Sequence, residues 1–196
     1  YDISEDNLNF KEKAGKYIDF LNANAYDKER DVRTNIAGEF QKSNLAAALQ
    51  TAELICGRLD EDKIYEALSQ IRISGRMEEI APGIIVDVSH NIQGMQGFVQ
   101  TVEANYHGMK KRILFAASHQ NEEEYMKNIL KTIPEIEAFY TVGIHKRRID
   151  EAEFQDAFRK MIDRNQETTV CFVVGSFYLA GMAKEFINQE EENVRL

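Results

Sequence analysis

The stretch Ile84-Ile85-Val86-Asp87-Val88-Ser89-His90-Asn91 decides the fold of this chain. Its first five residues form a short, mostly apolar run of the kind found in buried strands. Polar residues follow directly, and residues 93–106 then show the spacing of an amphipathic helix. A buried strand, a polar turn and a helix in this order are typical of α/β sheets, in which ligands bind beyond the carboxyl ends of the strands.

The same alternation continues downstream. The sequence predicts further strands at residues 112–117, 136–142 and 168–174, and further helices at residues 122–131, 150–164 and 176–188. Apolar strands that alternate with amphipathic helices predict an α/β fold with a mostly parallel sheet and helices on both faces. We expect a ligand cleft at the carboxyl ends of the strands. Those ends are residues 87–91, 117–120, 143–145 and 175–176.

The upstream part of the chain has a different pattern. Residues 44–59 predict an alanine-rich amphipathic helix with Ser43 as its cap, and residues 60–70 predict a second, shorter helix. Weaker alternation indicates short strands at residues 8–10, 17–21 and 31–36. Ile73-Ser74-Gly75 interrupts the helical pattern, which indicates a domain boundary. The predicted domains are residues 1–74 and 75–196.

Composition narrows the function classes. The formal net charge of -9 opposes binding to nucleic acid and to anionic lipid. The sequence has no run of about 18 apolar residues and no signal-peptide pattern, so we expect no membrane span and a cytoplasmic location. Cys56 and Cys171 lie among apolar residues, which predicts two buried, reduced thiols.

The polar residues around the predicted boundary and the first strand end allow two interpretations. Asp87 at a strand end can accept hydrogen bonds from a ribose diol, and His90 beside it can hold a ring or a phosphate. Arg76, after Gly75, carries the group best suited to bidentate phosphate contact. The same residues also fit a surface arginine and a turn in which Asn91 or its neighbours cap the next helix. Taken alone, they indicate an α/β domain with a ligand cleft.

Two other segments fit anion binding, because each is expected to lie at the start of a helix. Gly38 to Asn44 precedes the alanine-rich helix, and Gly175-Ser176 precedes the last one. Taken locally, simple helix capping is the favoured explanation of the first segment, and a tight strand-to-helix turn is that of the second. Lys146-Arg147-Arg148 is either a solvated loop or a local attraction for an anionic substrate. The sequence has no phosphate loop of the Walker type, no Ser/His/Asp order and no zinc-ligand spacing.

The motifs, taken in order, resemble those of folylpolyglutamate and dihydrofolate synthases, which are ATP-dependent ligases of the Mur type. In chain order they are Gly38-Glu39-Phe40-Gln41 with Asn44, then Ser74-Gly75-Arg76-Met77-Glu78, then Ile84 to Asn91, and finally Val174 to Gly181. The resemblance covers essentially the whole chain. It implies that residues 1–74 are the end of a central ATP-binding domain and residues 75–196 a Rossmann-like carboxy-terminal domain.

The resemblance also implies an activity. In that family ATP phosphorylates a folate carboxylate, and the amine of L-glutamate displaces the phosphate. The phosphate loop and the Mg²⁺ ligands belong to an amino-terminal half, which is therefore an expected partner, and this chain alone is expected to be inactive. Carried over by position, Asn44 and Arg76 contact the nucleotide or its phosphates, Asp87 binds the ribose and His90 lies near the nucleotide. Ser176 lies near the incoming amino acid. No residue here is assigned a catalytic role or a metal.

Departures from the family pattern leave two alternatives open. Phe40 stands where the family usually has histidine, and Ile92 where it has proline. The segment Ser118-His119-Gln120-Asn121-Glu122-Glu123-Glu124 replaces a run that contains lysines. The chain could therefore belong to a related Mur or cyanophycin-type ligase with a non-folate acceptor, or to a nucleotide-binding domain without catalysis.

Overall fold

The computed structural model describes residues 26–27, 32–33, 39–71, 73–145, 148–162 and 168–195. The chain divides into two compact units, residues 1–73 and residues 74–196. The strands expected at residues 8–10 and 17–21 lie outside the described residues, as does most of the one expected at residues 31–36.

The described residues of the first unit form two short strands and two helices. Strand β1 (Tyr26–Asp27) pairs antiparallel with β2 (Val32–Arg33). Helix α1 spans Glu39–Cys56 and helix α2 spans Glu61–Gln70. The carboxylate of Asp60 caps α2, because it accepts hydrogen bonds from the N–H groups of the second and third residues after it. Among the residues of this unit whose side chains the structure describes, Ala46, Ile64 and Leu68 form a buried apolar cluster.

Two expectations for α1 are wrong. The helix begins at Glu39, so Ser43 lies inside it and does not cap it. Residues 39–42 are compatible with a helix and extend it upstream, although they add little to the apolar stripe. Cys56 is exposed, because the last turn of α1 turns even its apolar side chains, Leu54 and Ile55, toward solvent.

The second unit contains one five-stranded sheet, a small hairpin and four helices among its described residues. The sheet strands are β3 (Glu78–Ala81), β4 (Ile84–Asp87), β5 (Lys110–Phe115), β6 (Ile136–Thr141) and β9 (Thr169–Val174). The hairpin strands are β7 (Ile144–His145) and β8 (Arg148–Ile149). The helices are α3 (Ile92–Asn105), α4 (Glu123–Leu130), α5 (Glu151–Ile162) and α6 (Phe177–Arg195), and a 3₁₀ turn (Gln120–Glu122) precedes α4.

The sheet has the strand order β3-β4-β9-β5-β6. Strands β4, β9, β5 and β6 are parallel, and β3 pairs antiparallel with β4 at one edge. The predicted fold class, a mostly parallel α/β sheet with helices on both faces, is confirmed. Strand β9, the last in the chain, lies between β4 and β5, so the carboxyl ends of these three strands are neighbours.

The central strand β9 is covered on both faces of the sheet, which explains its continuous apolar sequence. Cys171 and Val173 pack on one face of the sheet against α5 and α6. Val170, Phe172 and Val174 pack on the other face against α3 and α4. A parallel strand that is covered on both faces requires apolar residues at every position, not at every second one.

Neither the edge strand β3 nor the β7–β8 hairpin was expected from the sequence. Strand β3 is short and begins with Glu78 and Glu79, so it has no apolar alternation to detect. The turn after it is closed by the N–H of Gly83, which donates to Oε1 of Glu79 at 2.9 Å. In the described ranges, no helix combines the length and the apolar character that crossing a membrane requires.

Candidate functional site

The turns that follow β4, β5 and β9 are joined by hydrogen bonds. The N–H of Gly175 donates to the carbonyl oxygen of Asp87 at 3.4 Å. The hydroxyl of Ser118 donates to the carbonyl oxygen of Gly175 at 3.4 Å. The turn after β9 is therefore held between the other two, at the edge of the sheet where a ligand is expected.

Gly175 permits this close approach of three backbones. Its φ is +109°. A Cβ atom at this position would lie 2.4 Å from the carbonyl oxygen of Ala116 and 2.7 Å from the ring of Phe115. Only glycine fits there without displacing the neighbouring strand end.

Asp87 forms the centre of the site. Its Oδ2 accepts a hydrogen bond of 3.0 Å from the N–H of Met77, and its Oδ1 accepts one of 2.8 Å from the N–H of Ser89. The side chain is 7% exposed. A carboxylate has two lone-pair positions on each oxygen, so each oxygen that binds one N–H retains the capacity to accept a second donor.

Arg76 lies on the tight turn that leads into β3. The turn bends at Gly75, whose φ is +72°, and Gly75 is tied to the strand end because its carbonyl oxygen accepts from the N–H of Val88 at 2.8 Å. Nη1 of Arg76 lies 4.0 Å from Oδ1 of Asp87, and the arginine side chain is 29% exposed. The carboxylate attracts the guanidinium at this distance without a hydrogen bond, so the guanidinium N–H groups can serve an anion.

His90 has a defined tautomer in its neutral form. Its Nδ1 lies 3.0 Å from the carbonyl oxygen of Val88, which can only accept, so Nδ1 carries the hydrogen and Nε2 is the acceptor. The imidazole centroid lies 5.5 Å from the ring of Phe177 and 6.4 Å from that of His119. Phe177 is 59% exposed, so this edge of the site presents flat rings to solvent.

Asn91 and Ser176 act as helix caps. Oδ1 of Asn91 accepts from the N–H of Gly94 at 2.7 Å and caps α3. The hydroxyl oxygen of Ser176 accepts from the N–H of Tyr178 at 3.1 Å at the start of α6. Ser176 is 1% exposed, and a contact between it and an incoming amino acid stays a prediction.

Asn44 belongs to the first unit. It lies in the second turn of α1, is exposed, and its Nδ2 donates to Oε1 of Gln41 at 3.5 Å. Because α1 begins at Glu39, Asn44 lies inside the helix, and the expectation that the helix begins at residue 44 is wrong. Contact between Asn44 and a nucleotide stays a prediction.

Sequence reasoning missed the role of Lys184. Its Nζ donates to Oγ of Ser74 at 2.7 Å and to Oε2 of Glu78 at 2.5 Å. Burial alone raises the pKa of Glu78, but the hydrogen bonds from Lys184, from the N–H of Gly75 and from Ser74, together with the lysine charge, hold that pKa below its usual value. The resemblance included Glu78 in a motif. Lys184 lies 110 positions after Ser74, so no sequence pattern near either residue indicates that they are in contact.

The unusual segment after β5 lies at the same end of the sheet. Glu123, at the start of α4, forms an ion pair with Lys127 at 2.6 Å. In the part of the chain that the structure describes, neither Glu122 nor Glu124 forms an ion pair. Within the same described ranges, His, Cys, Asp and Glu side chains form no cluster of three or more that could hold a metal ion.

Comparison with solved structures identifies the fold. The chain matches E. coli FolC in complex with DHPP and ADP with a TM-score of 0.69 and 16% identity, over 82% of this chain and 42% of that one. It matches the folylpolyglutamate synthetase from Lactobacillus casei with a TM-score of 0.61 and 20% identity, over 80% of this chain and 40% of that one. The Mycobacterium tuberculosis folylpolyglutamate synthase complexed with ADP and AMPPCP gives a TM-score of 0.54 and 17% identity, over 80% and 42%.

These matches show a shared fold. No family model and no curated protein sequence matches the chain. The chain spans 40 to 42% of the length of the three solved structures. The resemblance seen in the sequence is thus confirmed as a structural likeness to folylpolyglutamate synthases over part of their length.

Proposed function

We propose that this chain is the carboxy-terminal part of an ATP-dependent ligase that adds L-glutamate to folate through an acyl phosphate, with or without dihydrofolate synthase activity. One observation carries the proposal. In a fold shared with folylpolyglutamate synthases, Nη1 of Arg76 lies 4.0 Å from the carboxylate of Asp87 at the carboxyl end of β4, and His90 follows Asp87 in the same strand-end turn.

Each residue has a role that its chemistry supports. The guanidinium of Arg76 neutralises a phosphate, and the second lone pairs on the Asp87 oxygens accept ribose hydroxyls. His90 presents an acceptor nitrogen and a flat ring to the nucleotide. Ser176 contributes to the amino-acid site, and Asn44 takes part in nucleotide binding. When bound, ATP supplies the phosphoryl group that activates the folate carboxylate.

The remainder of the site belongs to an amino-terminal domain of the same protein. That domain would hold the phosphate loop and the Mg²⁺ ligands, since this chain covers only 40 to 42% of the solved structures that share the fold. We therefore expect residues 1–196 alone to bind nucleotide weakly and to have no synthase activity.

Phosphate release by the full-length protein tests the proposal. It should require ATP, folate and L-glutamate together. Arg76→Ala should raise the KM for ATP roughly tenfold or more, because a charge-assisted contact to phosphate is lost. Arg159→Ala is the matched control, because Arg159 is an exposed arginine on α5 that pairs with Glu190. Failure of the full-length protein to turn over any folyl substrate would rule out the folate assignment.

A second candidate function is a related Mur or cyanophycin-type ligase with another acceptor. The segment after β5 favours it, because Glu122 and Glu124 place carboxylates where a glutamate-binding site would use cations. Assays with folates, peptidoglycan precursors and acidic peptides distinguish the two functions, and exclusive turnover of a non-folate decides for this one. Equal ATP affinity of wild type and Asp87→Ala in calorimetry would instead favour a domain without catalysis.

A further inference from the structure

Residues 74–78, here named the Arg76 turn, are held from two sides. On one side, the N–H of Met77 donates to the carboxylate of Asp87. On the other side, Nζ of Lys184 donates to both Ser74 and Glu78, the two ends of the turn. The central residue of the turn, Arg76, is therefore placed by contacts that its own side chain does not make.

Glu78 connects the lysine to the backbone of the turn. Its Oε2 accepts from Nζ of Lys184 and from the N–H of Gly75, both at 2.5 Å. An isolated, partly exposed ion pair contributes little to stability. Here, however, the lysine, the carboxylate, a hydroxyl and a backbone amide form one network, and removal of one member releases several contacts together.

The conformation of the turn needs such support. Gly75 has a φ of +72° and Met77 a φ of +45°, and the latter region is unfavourable for a residue with a side chain. A backbone in this region persists only where its surroundings hold it. Asp87 holds the N–H of Met77, and the lysine network holds the residues on either side.

We propose that Lys184 is a positioning residue that acts through Ser74 and Glu78 to hold the guanidinium of Arg76 at the nucleotide side of Asp87. This role rests on the proposed function insofar as Arg76 contacts a phosphate. Lys184 lies on α6, which starts directly after Ser176, so one helix joins the expected amino-acid site to the expected phosphate site.

Amide hydrogen exchange of the chain tests the positioning without any ligand. Lys184→Met keeps the length of the side chain and removes the three N–H donors. We expect the amides of Gly75 and Met77 to exchange roughly tenfold faster in this variant, because the turn opens more often. The Ser89 amide is the internal control, since it binds the same Asp87 carboxylate from the strand side. Unchanged exchange at Gly75 and Met77 overturns the proposal.

Nucleotide affinity of the full-length protein tests the consequence. Lys184→Met should weaken ATP binding roughly tenfold, because the guanidinium is misplaced, and Lys184→Arg should restore most of the loss. In the Arg76→Ala background, Lys184→Met should have no further effect. Lys160→Met is the matched control, because Lys160 forms a 2.6 Å ion pair with Asp156 within helix α5.

The outcomes distinguish this proposal from the proposed function. If Arg76→Ala leaves ATP affinity unchanged, the phosphate role of Arg76 fails, and faster exchange in Lys184→Met still supports the anchoring of the turn. If Arg76→Ala weakens ATP binding and Lys184→Met does not, the positioning role is wrong. If the two effects add fully in the double variant, Lys184 does not act through Arg76, and the proposal is again overturned.

Discussion

The backbone N–H of Met77 donates a 3.0 Å hydrogen bond to Oδ2 of Asp87, ten positions further along the chain. The same carboxylate accepts the N–H of Ser89 through its other oxygen. Asp87 therefore joins the turn that carries Arg76 to the end of strand β4. The residue expected to bind a ribose is also a structural support of the site, and the two roles use different lone pairs of one carboxylate.

Replacement of Asp87 should destabilise the second unit. Asp87→Ala leaves two backbone N–H groups without their charged acceptor, so we expect the free energy of unfolding in urea to fall by about 3 kcal/mol. Asp150→Ala is the matched control, because Asp150 is an exposed carboxylate that accepts one backbone N–H from Glu153. That control should lose about 1 kcal/mol. Equal losses in the two variants would show that the Asp87 hydrogen bonds contribute nothing beyond an ordinary cap.

Gly175→Ala should be among the most damaging small substitutions in the chain. The added Cβ would meet a carbonyl oxygen at 2.4 Å, at a φ of +109° that side chains rarely adopt. We expect the free energy of unfolding to fall by about 3 kcal/mol or more. Gly181→Ala, inside α6 with open space around the new atom, should instead gain about 1 kcal/mol. A neutral Gly175→Ala would contradict the close approach of the three turns.

The two cysteines should differ in reactivity. Burial raises the pKa of the Cys171 thiol to about 11, although Arg112 opposes the shift, whereas Cys56 is exposed. Because the thiolate is the reactive form, a disulfide-exchange reagent at pH 8 should label only Cys56 in the native chain and both thiols in denaturant. Cys56→Ser should abolish native labelling. Rapid native labelling of Cys171 would show that strand β9 is accessible to solvent.

Stability should decrease in mild acid. Burial raises the pKa of Glu78, but the hydrogen bonds to its carboxylate and the charge of Lys184 outweigh this effect and hold the pKa below its usual value of 4.5. A lowered pKa in the folded state means that the contribution to stability is present above about pH 4.5 and is lost as the pH falls through the folded-state pKa. Urea unfolding between pH 7 and pH 3 measures this loss. Glu78→Gln and Lys184→Met should both flatten the dependence, and an unchanged slope in both would contradict the network.

The sequence by itself determined the fold class and the strand end at which the candidate site lies. Short apolar runs such as residues 84–88 and 168–174, alternating with amphipathic segments, sufficed to predict a mostly parallel sheet. The same alternation of strands and helices predicted that Asp87 and His90 lie at a strand end. These features depend on neighbours within one element, which a local pattern records. The predicted start of α1 and the predicted burial of Cys56 were wrong, because both residues lie near helix ends, which the sequence signals only weakly.

Only the tertiary structure decided how the site is held together. The placement of β9 between β4 and β5 brings Gly175 against Asp87, and it follows from strand order, which no local pattern encodes. The hydrogen bond from Lys184 to Ser74 joins residues that are 110 positions apart in the sequence. Contacts of this kind arise when packed helices and strands bring distant segments together. The residues with the right chemistry can therefore be found in the sequence, whereas the contacts that orient them exist only once the sheet and its helices have assembled.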